Sequence, residues 1–149
     1  LGDFREAEDY TSQSLNFLLK HDALDQVMLK PYYEIGFSFL CRGKLIETRE
    51  CFEKCYLIMQ QGHSQIDDSI KLFILYILGL FYERENPIKA IEYYKEALTY
   101  PQYAQPFDYE HLRKLYRRLG MLAEAEKVEE QAATARNTNY SSEHHPPLQ

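Results

Sequence analysis

Residue types able to do chemistry are few in this chain, and they are scattered. Five histidines stand at His21, His63, His111, His144 and His145, and none pairs with a plausible nucleophile at local spacing. His21 and His63 fall near predicted loops, and His144 and His145 fall in a predicted tail, where two adjacent imidazoles do not make a metal site. His111 precedes Leu112 on a predicted helix and reads as a solvated side chain. Cys51 and Cys55 lie four apart on one helix face, a spacing that could ligate a metal or form a redox pair. Disulfide geometry across a single helical turn is poor, so packing is the stronger reading. Glu83, Glu85, Glu92 and Glu96 sit beside Arg84, Lys89 and Lys95 at helical spacing, which predicts solvated ion pairs. No glycine-rich phosphate loop is present. The expectation is a protein without catalytic residues, metal or cofactor.

Those side chains must be carried by some scaffold, and composition bounds it. The 149 residues are 45% hydrophobic and 27% charged with a net charge of -6, which suits one folded domain and gives no footprint for nucleic acid. The longest apolar run, Leu72 to Tyr82, is interrupted by Gly79 and too short to span a bilayer. With Cys41, the cysteines make an odd count of three, which reads as free thiols in a reducing, cytoplasmic setting. The sequence begins at Leu1 rather than Met, so a longer parent chain is expected.

Four stretches share a turn, a small residue and an apolar helix: "GDFREAEDYTSQSL" from Gly2, "GKLIETRECFEKCY" from Gly43, "NPIKAIEYYKEAL" from Asn86 and "GMLAEAEKVEEQA" from Gly120. Ala7, Thr48, Ala90 and Ala125 hold the equivalent small site, at separations of 41, 42 and 35 residues. Three of the stretches follow another helix with its own stripe: Tyr32, Ile35, Gly36, Phe39; then Leu75, Leu78, Gly79, Tyr82; then Tyr109, Leu112, Arg113, Tyr116. Offsets of 0, 3, 4 and 7 place each set on one helix face. A small residue on each helix lets its partner approach, and the aromatics Phe39, Tyr82 and Tyr116 fill the wedge between units. Helices are predicted over 4–20, 26–42, 45–61, 69–85, 87–100, 106–119 and 122–136, with Pro31 marking the start of the second or a kink, and "DDS" from Asp67 capping the fourth.

This pattern resembles the tetratricopeptide repeat family, whose signature runs W-x2-L-G-x2-Y, then A-x3-F, then P. Leu75-x2-Leu78-Gly79-x2-Tyr82, Ala90-x3-Tyr94, Ala97 and Pro101 match it best. Thr48, Cys55, Arg113 and Glu129 depart from it. The units run longer than the usual repeat, with extra length such as "QGHSQIDDS" from Gln61, similar to kinesin light chains and bacterial peptide-pheromone receptors. The resemblance implies an all-α, right-handed α-solenoid of antiparallel helix pairs: about three full units plus an orphan N-terminal helix. Its units would span about 1–22, 26–62, 69–102 and 106–136, within a 1–136 domain followed by a 137–149 tail.

In such proteins the first helices of successive pairs line a groove for a peptide. Carried onto this chain, the groove would comprise Tyr33, Phe37 and Leu40, with Lys30 at its edge, then Phe73, Tyr76, Leu80 and Glu83, with Arg84 beside them. A third row would be Phe107, Glu110, Lys114 and Arg117, with Arg118 alongside. The aromatic rows suit apolar anchors of a peptide, and Lys114, Arg117 and Arg118 suit an acidic side chain or a C-terminal carboxylate. These aromatics could instead pack on an adjoining segment of the parent chain or on the protein's own tail. Phe37, Leu80 and Lys114 stand where domains that clamp chaperone tails carry asparagine, so that subtype is disfavoured. The expected partner is a protein or peptide, with no direct nucleic-acid or membrane contact, and the resemblance suggests the sensing domain of a bacterial cytosolic regulator. The alternative is a structural element that dimerises through an exposed face of the first helix bearing Phe4, Ala7, Leu15 and Leu18.

Overall fold

Proline and glycine stand at the ends of the apolar-periodic stretches, and a helix occupies each interval between them. The computed structural model describes residues 2–21, 24–62 and 66–143, with side chains for 6, 9–20, 24–62 and 66–138. The described residues contain seven α-helices and no strand: α1 Gly2–His21, α2 Leu29–Cys41, α3 Leu45–Gln60, α4 Asp68–Glu85, α5 Pro87–Ala97, α6 Pro106–Arg118 and α7 Leu122–Glu143. The all-α class expected from the sequence therefore holds. None of the described helices is long and apolar enough to cross a membrane. The chain divides into two compact units, Leu1–Ile74 and Leu75–Gln149, and the division falls inside α4.

Helix ends follow local chemistry. Asp67 Oδ1 accepts hydrogen bonds from Ser69 N and Ser69 Oγ, both at 2.9 Å, and these bonds hold its carboxyl below the usual value at the start of α4. Asn86 Oδ1 accepts from Lys89 N at 3.1 Å, and Pro87 follows at the first helical position, where its missing N–H leaves nothing unpaired. Gly43 and Gly120 take positive φ (71° and 74°) in the short turns after α2 and α6, a conformation that other residues resist.

Three predicted boundaries move. The segment 26–42 splits into a 3-10 turn, Gln26–Met28, and α2, so that Pro31 falls in the first turn of α2, where it breaks no hydrogen bond and makes no kink. Helix α5 ends at Ala97 rather than 100, because the Thr99 hydroxyl donates to Glu96 O at 2.6 Å and Pro101 disfavours helix at the residue before it. Helix α7 continues past 136 to Glu143, so the first part of the predicted 137–149 tail is helical. No glycine or proline interrupts 122–143, and the Thr134 and Thr138 hydroxyls fold back onto Glu130 O and Thr134 O. His21, His63, His144 and His145 lie outside the residues whose side chains are described.

In the first unit, contacts pair Gln26 with Ile58, Leu29 with Cys55, Tyr33 with Phe52 and Gly36 with Cys51, so α2 and α3 run in opposite directions. Tyr32, Phe39, Phe52 and Ile58 of these two helices are fully buried, and Phe39, Phe52 and Ile58 each contribute about 1.5–3 kcal/mol. Thr48 tolerates its buried site by donating its hydroxyl to Lys44 O at 2.7 Å. Cys51 and Cys55 are buried free thiols, and Cys41 is an exposed one. Burial pushes the Cys51 thiol up to about 12 and that of Cys55 higher still.

The face of α1 expected to stand open is corrected here. Leu15 and Leu18 are buried, and Tyr32 Oη of α2 donates to Leu18 O at 3.1 Å. The helix after the orphan one covers that stripe. Phe4 and Ala7 lie outside the described side chains.

In the second unit, Leu75, Leu78, Ala90, Tyr94, Leu112 and Ala125 are core residues, buried among the rest of α4 and helices α5 to α7. The wedge aromatics Tyr82 and Tyr116 are buried too.

Candidate functional site: two aromatic faces

The predicted groove residues fall into the two units, and each unit gathers its share around aromatic rings. In the first, Phe73 of α4 stands against Tyr33 (6.4 Å between ring centroids), Phe37 (5.9 Å) and Phe52 (6.1 Å). Tyr33 stacks on Phe52 at 6.2 Å and leans on Phe37 at 6.0 Å. Phe52 belongs to α3 and is fully buried, so this cluster continues the core to the surface, where Phe37 remains 42% exposed. Leu40 is half-buried, and Lys30 pairs with Glu34 at 3.9 Å in solvent. Burial raises the Tyr33 phenol. This is a packed aromatic patch with one open ring.

The second unit combines rings with charge. Tyr76 of α4 meets Phe107 edge-on at 5.4 Å, His111 edge-on at 5.5 Å and Tyr94 at 5.9 Å. Two turns further along α4, Glu83 Oε1 accepts from Tyr94 Oη at 2.7 Å and lies 3.2 Å from His111 Nδ1. The Nδ1–H tautomer donates to that carboxylate and leaves Nε2 as the outer nitrogen. Burial, then the bond to Glu83, pushes the Tyr94 phenol far up, so it stays a neutral donor. Phe107 is 50% exposed and Leu80 37%, which makes them the open apolar surface of this face.

The basic residues predicted at this end are present and already engaged. Arg113 grips Glu110 in a fork, with N–O distances of 2.6 to 2.9 Å, and Lys114 reaches the same carboxylate at 3.4 Å. Arg117 pairs with Glu129 at 3.2 Å. Arg118 donates to the Glu83 carbonyl at 2.6 Å, capping the last turn of α4. Arg84 is exposed.

Three readings from sequence change, and a fourth residue joins the site. His111 is not a solvated side chain; it is half-buried between Tyr76 and Glu83, and its offset of four from Phe107 was the available signal. Glu83 belongs to that network rather than to a surface ion pair. Lys89 lies over the Tyr82 ring at 4.1 Å, a cation–π contact. Asp108 was overlooked: it is buried, its Oδ2 accepts from Gln105 N at 2.6 Å, and its Oδ1 has no hydrogen-bond partner. Burial raises its carboxyl.

Chemically, the second face offers apolar rings, a neutral phenol, an oriented imidazole and a rim of cations. No cluster of three or more His, Cys, Asp or Glu that could hold a metal ion occurs among the described residues. No protein-family model matches the chain, and no curated protein matches it.

Proposed function

We propose that this chain is a protein- or peptide-binding module of the tetratricopeptide kind, its helix pairs stacked as an α-solenoid, with no chemistry of its own. The second-unit face takes a segment of extended peptide that carries an apolar or aromatic anchor beside an acidic group. The observation behind this reading is the pair of open apolar side chains, Phe107 and Leu80. Phe107 meets Tyr76 edge-on, Leu80 lies one turn along α4 from Tyr76, and Lys114 and Arg118 stand on the same side of α6 as Phe107. The Lys114–Glu110 pair leaves the lysine 70% exposed, and exposed pairs are worth about 0–1 kcal/mol, so an incoming carboxylate can compete for it. A place in a cytosolic bacterial regulator would suit such a module.

Calorimetric titration with acidic, aromatic-containing peptides selected from a random library tests the assignment. Phe107→Ala and Lys114→Ala should each weaken binding about tenfold, a loss of about 1.4 kcal/mol. Unchanged affinity in both variants would remove the site from this face.

A second reading is favoured by α1, where Tyr10 and Phe17, seven residues apart on one face, are 75% and 61% exposed. It makes the chain an oligomerisation element. Light scattering would then show a dimer that Tyr10→Lys with Phe17→Lys dissociates, and a monomer at high concentration would dispose of it.

A further inference from the structure

Helix α6 has a second lined face. Its residues Phe107, His111 and Arg118 meet α4, while Tyr109, Leu112 and Tyr116 fall half a turn away at 100° per residue. That opposite face floors a groove of about 1160 Å³ walled by the end of α5 with the following loop, and by α7. Pockets for small organic ligands commonly run to about 300–1,000 Å³, so the space exceeds what an ion or a few waters would occupy.

The lining is mainly apolar, with Leu98 and Pro101 on one wall and Val128 and Ala135 on the other. The Thr99, Thr134 and Thr138 hydroxyls on its walls bond backbone carbonyls, but other polar groups are unspent. The Tyr109 and Tyr116 hydroxyls make no hydrogen bond to any described residue, and burial raises both phenols, which keeps them neutral donors. Lys95 and Lys127 line the groove without an ion pair among the described residues. Their settings differ. Helix α7 sets Lys127 between Glu124 and Glu130, whereas α5 contributes Lys95 and no carboxylate. The α5 wall is therefore the cationic one.

We propose that this groove binds a single-chain amphipathic carboxylic acid, its head on Lys95 and its hydrocarbon chain laid over Tyr109, Leu112 and Val128. An ammonium and two phenols are all donors, and a carboxylate is the head group that accepts from them. The apolar walls supply the affinity through burial of the chain. The site is independent of the peptide face, since it uses the other side of α6.

Calorimetry on the full chain with sodium dodecanoate, below its micelle concentration, decides it, alongside dodecyltrimethylammonium and dodecan-1-ol. Dodecanoate should bind tightest, and Lys95→Gln should weaken it about tenfold while leaving dodecan-1-ol within twofold. Ala135→Trp, at a half-buried position, should block all three ligands with the helical circular dichroism unchanged. Because Lys95 is exposed, its replacement leaves the fold intact, and that variant remains decisive should Ala135→Trp unfold. Phe107→Ala should not affect dodecanoate, which separates this site from the peptide face. Tighter binding of the ammonium ligand, indifference to Lys95→Gln or absence of any heat with dodecanoate would each overturn the proposal.

Discussion

At Gly79 a side chain has no room to begin, because a Cβ there would meet three atoms of the Tyr94 ring. Gly36 repeats the arrangement, with the Phe52 ring at 2.7 Å and Cys51 Cβ at 2.8 Å from the same imagined atom. Two effects oppose each other in Gly79→Ala. Alanine gains roughly 0.5–1 kcal/mol over glycine inside a helix, while overpacking a filled core typically costs about 1–3 kcal/mol. The clash should win, since a displaced Tyr94 also loses its 2.7 Å bond to Glu83. We expect Gly79→Ala to lower unfolding free energy by about 1–2 kcal/mol, read from the urea midpoint at constant slope. A neutral or stabilised variant would mean that the ring yields freely and that the close approach is not structural.

At the scale of elements, the three later helix pairs differ at one crossing. Gly36 faces Phe52 and Gly79 faces Tyr94, but the same places in α6 and α7 hold Arg113 and Glu129. There Arg113 binds Glu110 and Glu129 takes Arg117, so that crossing is charged, and packing falls to Leu112, Tyr116 and Ala125. The start of α6 is held by Asp108, and its buried carboxylate carries two opposed effects: a cap on Gln105 N and a desolvated charge. Asp108→Ala loses the cap and should cost about 1 kcal/mol, whereas Asp108→Asn keeps an acceptor, drops the charge and should be no less stable than the parent at pH 7. Folding raises this carboxyl above its ordinary 3.8, so the penalty is present at neutral pH and lifts as pH falls through the raised value. The advantage of asparagine should therefore shrink on acidification, and a gap that widens instead would mean that the charge is stabilising.

Helix positions could be read from the chain because proline, glycine and capping residues sit where apolar periodicity breaks: Asp67, Asn86 and Gly120 each mark an end that the structure confirms. The site was less legible. A histidine one turn beyond Phe107 reads equally well as solvated; only Glu83, 28 residues away on α4, turns it inward. Likewise, Leu15 and Leu18 looked open until α2 was seen to lie on them. Such pairings depend on distant segments, and local spacing only hints at them, as the offset of four from Phe107 does for His111.

For the molecule as a whole, the thiols and phenols that burial perturbs share a direction. Cys51 is raised from 9.0 to about 12 and Cys55 further. Tyr33, Tyr76, Tyr94, Tyr109 and Tyr116 are all raised from 10.0, with burial the largest cause each time. Each is neutral in the folded chain at a pH where the unfolded chain has begun to release its proton. The unfolded state therefore binds fewer protons above pH 9, and stability falls as pH rises. Stability from these groups is complete below pH 9 and drains first through the thiols, then through the phenols above pH 10, as the medium approaches the folded-state values. Both units hold such groups, so the decline should appear in each: replacing Cys51 and Cys55 by Ala should flatten the early part of the curve and leave the later part to the tyrosines. Urea unfolding followed by circular dichroism from pH 7 to about 11 measures it. A stability curve that stays level across that range would show that these phenols and thiols reach water in the folded chain, and would take the packed aromatic faces with it.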